Sequence, residues 1–124
     1  MTWQRSEPHV TAVLDFPYAG RWQIGDAYDT RWVRQLADGR WAVVTRTAFR
    51  QVNDDSEALT MRSVYVVCTD PGDPGSTEIA SNDRQGDQYR TGMFADADVQ
   101  AEARNAEPPT DAEWNAVMAR WVAS

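Results

Sequence analysis

Lysine is missing from this chain, and all twelve of its basic residues are arginine. Histidine and cysteine occur once each, as His9 and Cys68. These scarcities exclude chemistry before any pattern is sought. A lone cysteine closes no internal disulfide and fits a reducing compartment, where it reads as a small buried hydrophobe on a strand. Zinc sites take several thiolate or imidazole ligands, and this chain offers two in all. A thiol nucleophile with a histidine base would have to be built from the same two residues, with Glu7 or Asp15 to orient the ring, and no spacing supports that pairing. Long apolar runs are absent as well. Nothing approaches the ~20 residues of a membrane span, and MTWQRSEPHV lacks the apolar stretch of a signal peptide, so a cytoplasmic location is expected.

Arginine in place of lysine, with abundant Ala, Asp and Val, is the bias of GC-rich coding and speaks of the source genome more than of function. The net charge of −7 disfavours nucleic acid, because affinity for phosphate backbones comes from many basic contacts. Charge is unevenly spread. Residues 1–51 hold seven arginines against five acids, whereas residues 52–124 hold five against fourteen. The acids cluster at Asp54-Asp55-Glu57, Asp70-Asp73, Asp83-Asp87 and Asp96-Asp98-Glu102. No set has calcium-loop spacing, and aspartate beside glycine or at a helix start is ordinary turn and cap chemistry, so no metal is expected. The Gly72 and Gly75 loop lacks the basic residue and the strand-loop-helix context of a phosphate cradle, and no cofactor is implied.

What is present is a pattern of strands followed by helices, in 124 residues with 42% hydrophobic content, enough for a single domain over residues 1–124. The organising stretch is residues 31–50, RWVRQLADGRWAVVTRTAFR, which reads as a hairpin on Asp38-Gly39. Two registers compete. A two-residue loop pairs Leu36 with Trp41 and Trp32 with Thr45; a three-residue loop with a bulge pairs Gln35 with Trp41 and Trp32 with Val44. The first is preferred, because it sorts Trp32, Leu36, Trp41, Val43 and Phe49 to one face and Arg31, Arg40, Arg46 and Arg50 to the other. Its defect is Arg31 directly opposite Arg46.

Elsewhere, alternation predicts a half-buried strand over residues 9–16 and a short one over 21–24, with Gly25-Asp26 as a turn. Residues 51–58 read as a polar connection. Residues 61–69 are apolar on both faces, as a central strand is. Short strands are expected over 77–81 and 88–94, separated by a turn at 82–87. Asp96 can cap a short alanine-rich helix to about residue 105, expected to be peripheral because Val99 is its one sizeable apolar residue. Thr110 and Glu113 form a capping box, and Trp114, Val117, Met118, Trp121 and Val122 then fall on one helical stripe.

The fold class is therefore α+β: a twisted antiparallel sheet of five to seven strands packed by a C-terminal amphipathic helix. Closure into a seven-stranded barrel plugged by that helix, similar in outline to pleckstrin-homology domains, is the alternative. Of the six tryptophans, Trp114 and Trp121 belong to the helix stripe and Trp32 and Trp41 are expected to meet them; Trp3 and Trp22 have no such pattern. A small, acidic, tryptophan-rich chain without catalytic constellations points to a non-catalytic protein-binding module, such as an inhibitor, an immunity or anti-defence factor, or an assembly component of phage type. Candidate partner-binding residues are Asp54, Asp55, Glu57, Trp3, Trp22, Arg31 and Arg46, with a basic protein as the complement of the acidic clusters. A symmetric homo-oligomer belongs to the same class. A small-molecule binder using a sheet-helix cleft or barrel mouth is the alternative, and an enzyme would require His9, Cys68 or an aspartate pair to converge.

Overall fold

The computed structural model describes residues 3–5, 9–11, 23–52 and 56–123, with 9–11, 23–26, 83–89 and 120–123 described as backbone. The elements run β1 (Gln4–Arg5), β2 (His9–Thr11), β3 (Gln23–Gln35), β4 (Trp41–Val52), β5 (Glu57–Cys68), β6 (Glu78–Thr91), α1 (Asp96–Asn105) and α2 (Asp111–Ala123). The sheet is antiparallel, in the order β1-β3-β4-β5-β6, with β2 beside β3 further along the same edge. Among the described residues it has six strands and remains open, so the fold is α+β and the barrel alternative is not realised there. A row of unpaired backbone groups is left along the outer edge of β6 among the described residues.

The hairpin takes the bulged register. Gln35 pairs with Trp41, Trp32 with Val44, and Arg31 with Thr45. The Gly39 amide donates to the Leu36 carbonyl at 3.0 Å and the Leu36 amide to the Arg40 carbonyl at 2.7 Å, closing a three-residue Ala37-Asp38-Gly39 loop with Gly39 at φ +90. Asp38 braces it by accepting from the Arg40 amide and side chain, and this Arg40 contact holds the Asp38 carboxyl below its ordinary range. The preferred two-residue register is thereby corrected, and so is the sorting criterion behind it. Even-numbered residues of β3 and β4 share a face, so Trp32, Ala42 and Val44 lie beside Arg34, Arg46 and Arg50. An arginine can sit on an apolar face when its stem packs there and its head reaches an acid at the rim. The slip by one residue also parts Arg31 from Arg46, which now stands opposite Thr30.

Ladder pairing overrode local turn signals twice more. Gly25-Asp26 is an irregularity between Ile24 and Ala27 inside β3, not a turn, because β4 runs on to Val52 and pairs with Gln23 and Ile24. Residues 82–87 likewise belong to a continuous β6, whose polar excess is taken up by register shifts opposite Leu59–Thr60 and Met61–Ser63. Of the strand expected over 9–16, residues 9–11 form β2 and the rest lies outside the described residues.

The helices cover one face in two clusters. Trp114 and Val117 of α2 pack on Trp32, Ala42, Val44, Tyr65, Val67 and Ala80. Val99 and Ala103 of α1 pack on Tyr28, Ala48 and Leu59. Helix α1 is therefore docked, not peripheral: small residues let its backbone approach closely, and the buried Thr30 hydroxyl donates to the Ala103 carbonyl at 2.6 Å. Asp96 is its first residue, while Ala95 occupies the cap and donates its amide to Asp98 at 2.8 Å. The capping box of α2 is present, with the Glu113 amide donating to Thr110 Oγ1 at 3.1 Å. The side chains of Trp121 and Val122 lie outside the described residues.

Gly39 supplies a direct test of the turn. A Cβ added there would meet nothing within 4 Å, so a substitution suffers only the left-handed backbone. Gly39→Val is expected to lose about 1–2 kcal/mol, and more than Gly39→Asn, in urea denaturation. An unchanged midpoint for the valine variant would contradict the bulged hairpin.

Candidate partner-binding surface

The helix-covered face pairs several strand arginines with acids of the two helices. Arg34 reaches Asp111 at 3.0 Å and lies 4.4 Å above the Trp3 ring and 5.9 Å from that of Trp114. Arg46 reaches Glu113 at 3.2 Å, Arg50 reaches Asp96 at 3.7 Å, and Arg90 reaches Glu102 at 3.3 Å. Arg5 stacks on Trp32 and donates to the carbonyls of Ala103 and Arg104. The surplus of arginine in the strands and of acid in the last third of the chain thus meet as sheet-to-helix pairs. Each exposed pair contributes about 0.2–1 kcal/mol, and together they fix how the helices sit.

The proposed binding residues that are described do not gather on one surface. Trp3 is half-buried in an edge contact with Trp114 at 5.7 Å and serves as part of the clamp over α2. Glu57 accepts the Phe94 amide at 2.9 Å. Arg46 is engaged by Glu113, and Arg31 lies on the opposite face. Asp54, Asp55 and Trp22 lie outside the described residues. Asp70 and Asp73 are turn acids, accepting the Gly72 amide at 2.9 Å and the Ser76 amide at 3.3 Å.

The bulged register exposes instead a surface that the unbulged one hides. On the face turned away from the helices, Val33, Val43 and Val66 stand in one row across β3, β4 and β5. The next row toward the turn is Gln35, Trp41 and Cys68, and the row on the other side is Arg31, Thr45 and Val64, continued by Asp83 on β6. Trp41 was expected against the helix; the one-residue slip places it here. Val33, Trp41, Val64 and Val66 are half-buried, while Val43 and Cys68 in the same rows are fully buried, as are Phe49, Thr60 and Ala58 at the far end of the face. Ile79, beside this patch at the start of β6, is 48% exposed. The half-buried positions at this end are mostly apolar, and among the described residues neither helix packs on them. A cluster of half-buried valines around a tryptophan is a candidate interaction surface. The sequence carried the signal in its odd-numbered valines, but only the right register aligns them.

Catalytic constellations fare differently. His9 stands opposite Asp29, whose carboxylate accepts the Thr47 hydroxyl at 2.6 Å. Cys68 shares that face but lies in the row of Gln35, about 20 Å along the strands from the row of Asp29, so His9 and Cys68 occupy distant register positions on the sheet. Burial pushes the Cys68 thiol up, and its Sγ donates to the Asp70 carbonyl at 3.5 Å. Reaction with Ellman's reagent is expected to be slow in the folded protein and to become fast in urea; fast labelling of the native state would overturn the core assignment. Among the described residues no group of three or more His, Cys, Asp and Glu is placed to hold a metal ion, and no helix is long and apolar enough to cross a membrane.

The fold is that of a small α+β protein whose antiparallel sheet carries both helices on one face. No protein-family model matches the chain, and no curated protein or solved structure is significantly similar to it.

Proposed function

We propose that the chain is a non-catalytic protein-binding module that docks through the helix-free face of its sheet, acting as an inhibitor, an immunity or anti-defence factor, or an assembly component. The observation that carries this reading is the half-buried Val33, Trp41, Val64 and Val66 patch on the helix-free face. Binding energy concentrates in such tryptophan-centred apolar patches, with a polar rim that excludes water. The rim here holds Arg31 and Gln35. A net charge of −7 favours a partner with a basic surface and disfavours nucleic acid. The buried, unpaired Cys68 fits action in the cytoplasm.

The test is capture from a host lysate by tagged wild-type protein and by Trp41→Asp and Val66→Asp. Both substitutions are expected to abolish retention of the partner while the far-ultraviolet circular dichroism stays native. Undiminished retention by both would overturn the reading.

A further inference from the structure

The edge of β3 carries a second surface, and the chain's own residues 3–5 occupy it. Gln4 and Arg5 of β1 add to that edge antiparallel, Gln4 beside Val33 and Arg5 beside Trp32. Successive side chains of an extended segment alternate, so Trp3 and Arg5 fall on the helix side while Gln4 turns away from it. Each of the two enters a seat built by β3 and one helix. Trp3 meets the Trp114 ring of α2 edge-on at 5.7 Å and has the Arg34 guanidinium 4.4 Å from its own ring. Arg5 lies 5.4 Å from the Trp32 ring and donates from Nη2 to the carbonyl of Ala103 at 3.2 Å and to that of Arg104. Those carbonyls belong to the last turn of α1, the negative pole of the helix, where a cation is the matching group. A sheet edge for the backbone, with an aromatic seat and a cation seat for alternate side chains, has the parts of a strand-addition peptide site. We propose that this edge is a peptide-binding groove for an extended Trp-x-Arg segment of a partner protein, filled in the free chain by Trp3 and Arg5.

The chain's own segment is a weak occupant. Its ladder is two residues long, and both Gln4 and Arg5 are exposed. The Nε1 donors of Trp3 and Trp32 are buried without an acceptor among the described residues, a cost that this seating does not recover. A partner segment that brings an acceptor to either indole gains a bond that residues 3–5 do not make. What the chain's own segment has is proximity, since continuity with β2 keeps its local concentration high. The seats lie on the helix-covered side of the sheet, and the Val33, Trp41, Val64 and Val66 patch lies on the other, so this groove stands or falls separately from that surface.

Fluorescence anisotropy of a labelled peptide with the sequence of residues 1–7, MTWQRSE, reads the groove once the full chain carries Trp3→Ala/Arg5→Ala, which vacates both seats. The peptide should bind this variant with a dissociation constant of about 10–500 μM, and the wild type at least ~10-fold more weakly because its own segment competes. Alanine in place of the tryptophan or of the arginine of the peptide should each weaken binding about tenfold. Trp41→Asp added to the variant should leave the affinity unchanged. No binding to the vacated variant up to about 1 mM overturns the proposal. So do equal affinities for variant and wild type, indifference to both alanine peptides, or loss of binding with Trp41→Asp, each of which puts the peptide elsewhere. Should the double variant lose its native circular dichroism, Arg5→Gln serves in its place. It empties the seat on α1 alone and should bind the peptide about threefold more tightly than the wild type does, and no gain would overturn the proposal. A wild-type dimer in sedimentation velocity that disappears with Arg5→Gln would give the groove to the same segment of a second copy and overturn the partner assignment.

Discussion

Replacing Trp114 with alanine is expected to cost roughly 3–5 kcal/mol, the largest loss at any position in α2 whose side chain is described. The ring is 5% exposed and is the hub through which α2 reaches the sheet. It meets Trp3 edge-on, lies 6.1 Å from the Tyr65 ring, and receives the Arg34 guanidinium that is itself held by Asp111. Truncation would leave a cavity that none of these can fill without giving up a partner: Trp3 belongs to the chain next to β1, and Tyr65 and Arg34 sit on rigid ladder positions. A domain of this size holds about 5–15 kcal/mol in all, so the variant should lose a large fraction of its stability in urea denaturation. Ala119, exposed on the other side of the same helix, should accept glutamate with a change within about 0.5 kcal/mol. Equal, small effects at both positions would mean that α2 does not pack through Trp114.

Phe49→Ala should lose about as much, roughly 3–5 kcal/mol, although Phe49 points away from both helices. It is 0% exposed and stands in the row of Ala27 and Thr60 on the helix-free face. The contrast with Trp41, on the same strand and face but half-buried, is the informative part. Trp41→Ala should cost under about 1.5 kcal/mol, because much less of its contact is lost on truncation. A stability loss at Trp41 equal to that at Phe49 would show the whole face to be core and remove the surface on which partner binding is proposed.

Where sequence reasoning succeeded, the determinants lay within a few residues of one another. The Thr110-Glu113 capping box places its own hydrogen bonds, and the spacing of Trp114, Val117 and Met118 defines a stripe whatever it packs against. Asp38-Gly39 dictates a reversal, since Gly39 accepts the positive φ that the turn needs. Strands followed by helices dictate α+β. The register was different in kind. Two loops one residue apart satisfy the same Asp-Gly chemistry, and the choice between them is made by groups far away in the chain. Trp32 must lie under Trp114, and Arg34 and Arg46 must reach Asp111 and Glu113. The same holds for residues 82–87, read locally as a turn and held extended by the full length of β5. It holds too for α1, whose weak apolar stripe docks because Thr30 and Arg5 satisfy its last carbonyls. Local chemistry thus determined the hairpin reversal, the capped helix and the order of strands before helices. Only the tertiary structure decided which face of each strand met the helices, and with it whether Trp41 was core or surface, because in a sheet a slip of one residue turns every side chain over.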